Sequence, residues 1–131
     1  MAWDLDDRFQ IKENEAILAF IQDKNPSAHS DITDLLIRSA ADLPDVRWYC
    51  PDLWGYTYIV LHTQKNVIFG LAYGMSAIAY RLPVDRIDAA LAAGGKTGPS
   101  PGEGWVVWEG VWSLNVKHWC KVAHDHVLVI K

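Results

Sequence analysis

The sequence predicts an α+β domain: two N-terminal helices, an antiparallel sheet of four or five strands, a short crossing helix, and a C-terminal helix packed on the sheet. Three observations predict it. Apolar residues recur at helical spacing through the first third of the chain. From Tyr56 to Leu82 the period changes to two, in runs rich in β-branched and aromatic residues. After Val116 the helical period returns, with Val116, Trp119, Cys120, Ala123, Val127 and Ile130 at i, i+3, i+4, i+7, i+11 and i+14.

Taken in order, Asp6 to Lys24 carries Phe9, Ala16, Ile17, Phe20 and Ile21 near helical spacing, and "NPS" stops it. A second helix starts with Ser30 or Asp31 as cap and buries Ile32, Leu35, Leu36, Ser39 and Ala40. It ends at Leu43–Pro44, because proline disfavours a helical residue before it. "VRWYC" is a short strand and "PDLWG" a turn. Tyr56 to His62, Val67 to Tyr73 and Ser76 to Leu82 form a meander, separated by "TQKN" and "GM". "PVDRIDAALAAGG" is a short helix closed by Gly94 and Gly95 in the left-handed cap geometry. "KTGPSPGEG" is a loop.

The stretch "GWVVWEGVW" has helical spacing among Trp105, Trp108 and Trp112, but Gly110 and three β-branched valines favour a strand from Trp105 to Trp112. Trp108 and Trp112 then share a face with Gly110 between them, leaving a gap. Trp119 belongs to the C-terminal helix, capped by Ser113 or Asn115.

The meander's faces suggest a site. If the short turn keeps large residues opposite large ones, Gly70, Ala72, Ala77 and Ala79 make a floor with Arg81 near its edge. Close packing of a helix is the plain use of such a floor. The sharper use is a pocket walled by aromatic residues, with Arg81 offering its planar fork to a carboxylate or phosphate. The candidate ligand-binding residues are Arg81, Tyr58, His62, Trp108, Glu109, Trp112 and Trp54.

Composition narrows the function classes. The 131 residues are 50% hydrophobic and 21% charged, as expected of one globular domain. A net charge of −4 with no basic run argues against nucleic-acid binding. The longest uncharged run, Asn66 to Tyr80, is broken by two glycines and is shorter than the roughly 20 apolar residues of a membrane span. The acidic start lacks a secretory signal's positive residues. Two cysteines make no disulfide framework, so a cytoplasmic location is expected.

Three chemical motifs fall short. His118, Cys120, His124 and His126 cluster, but no two of the histidines stand at the i, i+4 spacing that pairs histidine ligands on a helix. The histidines are expected on the helix's polar surface, and no metal or other cofactor is expected. "GGKT" at Gly94–Thr97 resembles the end of a phosphate loop, but Ala90 replaces the first glycine and the motif follows a helix instead of opening one. Cys50 with His62 could act as nucleophile and base only if the fold joined them.

The order "VIFGLAYGMSAIAYRLP … ALAAGG … GWVVWEG … C-terminal helix", over Tyr56 to Leu128, resembles the second half of small α+β domains of the MmcQ/YjbR kind and their luciferase-like relatives. It rests on Gly104–Trp105 and on element order. The serine–tyrosine pair that usually ends those families' last helix is absent, and "CKVAHDH" stands there instead. The resemblance implies a fold and no activity.

The function expected is non-catalytic: a small interaction protein that uses a Trp/Tyr-rich surface to hold a protein partner or its own copy. An acidic immunity- or antitoxin-like protein is one concrete form. The alternative is a small-ligand-binding protein or enzyme with an anion-accepting pocket near Arg81.

Overall fold

The computed structural model describes residues 7–52, 56–98, 102–111 and 114–129. It is an α+β fold. Five strands run β1 (Arg47–Tyr49), β2 (Ile59–His62), β3 (Ile68–Tyr73), β4 (Ala77–Arg81) and β5 (Trp105–Glu109). They pair in chain order as one antiparallel sheet. The helices are α1 (Glu15–Lys24), α2 (Ser30–Ser39), α3 (Ile87–Ala92) and α4 (Val116–Leu128). None of the described helices is long and apolar enough to cross a membrane.

Both sheet faces are covered, so β2 is buried at every position and β3 and β4 at all but their last. One face holds Ile59, Leu61, Phe69, Ile78, Tyr80, Val106 and Trp108. Against it pack Ile32 and Leu36 of α2 and Trp119, Cys120, Ala123 and Val127 of α4. The other holds Tyr58, Val60, Ile68, Leu71, Ala79 and Trp105, covered by Phe9 and by Ile17, Leu18 and Ile21 of α1.

The expected small-residue floor does not form. Gly70 lies opposite Tyr80, Leu71 opposite Ala79, Ala72 opposite Ile78, and Tyr73 opposite Ala77. Directly paired residues share a face, so each small side chain stands beside a large one. The turn between Tyr73 and Ala77 holds three residues, where the expectation placed the two of "GM". One extra residue exchanges the faces of everything after it. A bulge adds to the effect: Leu61 pairs with Gly70 but His62 with Ile68, so Phe69 is the extra residue. Phe69 thereby joins the α2/α4 face while Ile68 takes the other. Gly70 beside it leaves the space that Leu61 and the Tyr80 ring occupy, both 3.3 Å from where a Cβ would sit.

Several element ends differ from expectation. The first helix begins at Glu15, after two short 3-10 turns, Asp7–Phe9 and Lys12–Asn14. Asn14 explains the break. Its fully buried amide donates to Phe9 O (3.0 Å) and Asn66 O (2.8 Å) and accepts from Ile68 N (2.8 Å). It clasps the N-terminal segment to β3. His29, not Ser30 or Asp31, caps α2, its Nδ1 accepting from the Asp31 amide at 3.1 Å. Asn115 caps α4 as expected, accepting from His118 N. Strand β5 stops at Glu109 because Gly110 turns away at φ 69°, its N–H bonding Ser76 O at 3.1 Å. The gap imagined between Trp108 and Trp112 on one strand therefore has no strand beneath it. Trp54 and Trp112 lie outside the described residues.

Candidate functional site

Arg81 closes β4 opposite Trp105 of β5, on the α1 face. Here the N-terminal segment crosses the sheet end. The turn Lys12–Asn14 leaves the Glu13 carbonyl free, and Arg81 Nη1 donates to it at 2.8 Å. The guanidinium is partly buried, and burial lowers its pKa, opposed by the nearby Glu13 carboxylate. Among the described residues no carboxylate comes within ion-pair distance of it. A charge taken from water without a partner is costly, so the position favours an added anion.

An open cleft of about 570 Å³ borders this guanidinium. Lys12, Glu13, Glu15, Ala16 and Ala19 form one wall, and Glu103 and Trp105 the other. Gly102 holds the second wall close, since a Cβ there would meet Ala16 Cβ at 2.8 Å. The cleft carries charge of both signs, with one indole as apolar surface.

The other expected site residues are scattered. His62 shares the sheet end and the face of Arg81, but it is buried under Phe9, ring centroids 4.8 Å apart, with Nδ1 2.9 Å from Thr63 O. Tyr58 is buried on the same face near the opposite end, and its hydroxyl has no hydrogen-bond partner among the described residues. Burial pushes its pKa well up, helped by Tyr49 and Cys50. Glu109 is exposed at that same far end, opposite Ala77. Trp108 lies on the other face against Trp119 (5.2 Å) and Tyr80 (6.2 Å), its Nε1 buried without a partner among the described residues. Arg81 is thus joined by none of them in one cavity.

Nor does the fold bring Cys50 to His62. Cys50 Sγ sits 3.2 Å from Thr57 Oγ1, while His62 pairs with Arg47 at the far end of β1. Cys120 is fully buried, and burial pushes its thiol up to about 11, so it stays protonated. No group of three potential metal ligands occurs among the described residues. The histidine cluster is divided: His118 is exposed and His126 partly so. His124 is 2% exposed, which corrects its expected place on the polar surface.

Sequence reasoning singled out Arg81 but missed Lys12, Glu13, Glu15 and Glu103 beside it. No periodicity joins positions 12–15 to 81 and 103. Their meeting depends on the Asn14 clasp, which only a buried tertiary contact creates.

The chain matches no family model, no curated protein and no solved structure.

Proposed function

We propose that this chain is a non-catalytic binding protein for a small molecule bearing one carboxylate or phosphate, held at Arg81 in the cleft between α1 and β5. The carrying observation is a partly buried guanidinium, bonded to a backbone carbonyl and to no described carboxylate, beside a cleft of ligand size. Its free N–H groups can grip a planar anion in two parallel bonds. Glu13, Glu15 and Glu103 would repel further negative charge, so the remainder of the molecule is neutral or cationic. A cytosolic setting belongs to the same proposal, and the two free cysteines support it.

Trp105 supplies the readout. A panel of small carboxylates and phosphates, followed by tryptophan fluorescence, is expected to yield a saturable change. Arg81→Gln removes a charge-assisted pair of about 1.5–3 kcal/mol, or roughly ten- to a hundredfold in affinity. Arg81→Lys recovers only part of it. A flat response across the panel, or equal affinity in Arg81→Gln, ends the proposal.

The interaction-protein role is the second reading. It is supported by the exposure of Trp48 on edge strand β1 (46%), by Tyr56 and Met75 lining one shallow depression, and by the −4 charge. Against it as first choice, Trp105, Trp108 and Trp119 are all core residues. Kinship with the MmcQ/YjbR-like and luciferase-like domains is proposed on element order alone: meander, helix, Gly104–Trp105 strand, closing helix.

A further inference from the structure

The cleft at Arg81 holds more charge than one anion would use. Its walls carry two cations, Arg81 and Lys12, and three carboxylates, Glu13, Glu15 and Glu103. Glu13 is the carboxylate that acts on Arg81, raising its pKa against the effect of burial. Glu15 and Glu103 have no such use. Among the described residues neither forms an ion pair, and Lys12 forms none.

Glu15 and Glu103 reach the cleft from opposite walls, one from α1 and the other from the segment that leads into β5. The two walls meet at Gly102, where an added Cβ would lie 2.8 Å from Ala16 Cβ. Glu15 and Glu103 are the chain neighbours of those two residues. The contact therefore carries a carboxylate from each wall to the same part of the cleft. Like charges brought together repel. Both glutamates are exposed, so water and salt moderate the repulsion without removing it. The glutamates do not gather as a metal site, because no group of three potential metal ligands occurs among the described residues.

We propose that the ligand of the Arg81 cleft is an amino acid, its carboxylate on the Arg81 guanidinium and its ammonium between Glu15 and Glu103. This rests on the Arg81 reading and names the ligand class within it. Three features select that class. Once the ligand's carboxylate is set against Arg81, the charges that remain are three carboxylates against one lysine, so a second positive group is favoured over a neutral one. An ammonium carries three donors and can bond both glutamates at once. Ala16, Ala19 and a Trp105 that is 3% exposed supply little apolar surface, which suits a short carbon chain between the two charges.

Calorimetric titration at neutral pH compares glycine, β-alanine, γ-aminobutyrate and δ-aminovalerate, each with the acid of the same chain length that lacks the amine. At the length that spans the two groups, the amine is expected to tighten binding about three- to tenfold. Glu15→Gln and Glu103→Gln should each shrink that advantage and leave the plain acid's affinity the same or better. Glu109→Gln, the same loss of charge at the far end of the sheet, should change neither. Arg81→Gln should weaken acid and amino acid alike. The inference is overturned, with the Arg81 reading left standing, if the plain acids bind as tightly as their amino counterparts at every length. It is overturned also if the advantage survives in the Glu15→Gln/Glu103→Gln double variant. If no acid of either kind binds, the Arg81 reading falls and takes the inference with it.

Discussion

The two faces of the sheet are finished differently. On the α2/α4 face, two buried hydroxyls link a strand to a helix. Tyr80 donates to Ser39 Oγ at 2.9 Å, and Ser39 donates to Leu36 O at 2.6 Å, tying β4 to α2 beneath α4. Burial pushes the Tyr80 hydroxyl far above its ordinary pKa. On the α1 face the cover is one helix and two short turns, held by Asn14. That cover crosses the sheet end as a single turn, and Arg81 beside it remains half-buried at a cleft. A face with two helices can close its core. A face with one helix leaves an edge, and an edge with a fixed charge is where a ligand can contribute what the chain does not.

The largest expected effect contrasts two tryptophans buried alike at 3% exposure. Trp108→Ala removes an indole packed between Tyr80 and Trp119, and should cost about 3–5 kcal/mol of unfolding free energy. Trp105→Ala should cost less, because the space it leaves opens into the cleft and can fill with water. Urea denaturation of both variants measures the difference. If Trp105→Ala costs as much as Trp108→Ala, the two faces are equally closed and the contrast fails.

Next comes the clasp. Asn14→Leu takes the side-chain partner from the buried Ile68 N–H and the part-buried Asn66 carbonyl, while the Phe9 carbonyl keeps the Ile11 amide, at a cost of roughly 2–4 kcal/mol. The loss should be local. Native-state hydrogen exchange is expected to quicken in α1 and at the Ile68 amide while α4 keeps its protection. Uniform loss of protection would mean that the N-terminal segment is an integral part of the core, not a cover laid over it.

This unevenness also decides what the sequence could reveal. The helices and strands were legible because residue type and period are local properties. Val116, Trp119, Cys120, Ala123 and Val127 trace one buried helical stripe, and all five are core. The face assignment was not legible, because it turns on a single residue in the Gly74–Ser76 turn and on a bulge at Phe69. Arg81 stood out as a cation at a strand end. Its neighbours did not, because Glu13 and Glu103 meet it only through a fold-wide contact. His124 looked like a surface histidine on an amphipathic pattern, yet the β2–β3 turn covers that part of α4.

The smallest expected effect links the faces through Arg81. His126, on α4, has its pKa lowered, first by burial and then by the Arg81 charge, with Asp85 acting the other way. Folded, it takes up a proton less readily than the unfolded chain, whose histidine titrates near 6.5. Protonation below that value therefore favours the unfolded state, and stability should fall as pH drops through 6.5. His126→Gln should flatten that part of the stability curve, by less than about 1 kcal/mol because the ring is only partly buried. Arg81→Gln should flatten it partly, since burial remains. An anion bound at Arg81 would act in the same direction, raising the His126 pKa and binding more tightly in mild acid than at neutral pH. An acid limb identical in all three backgrounds would show that the charge at the cleft is not felt across the sheet, and the faces would then be electrostatically separate as well as differently packed.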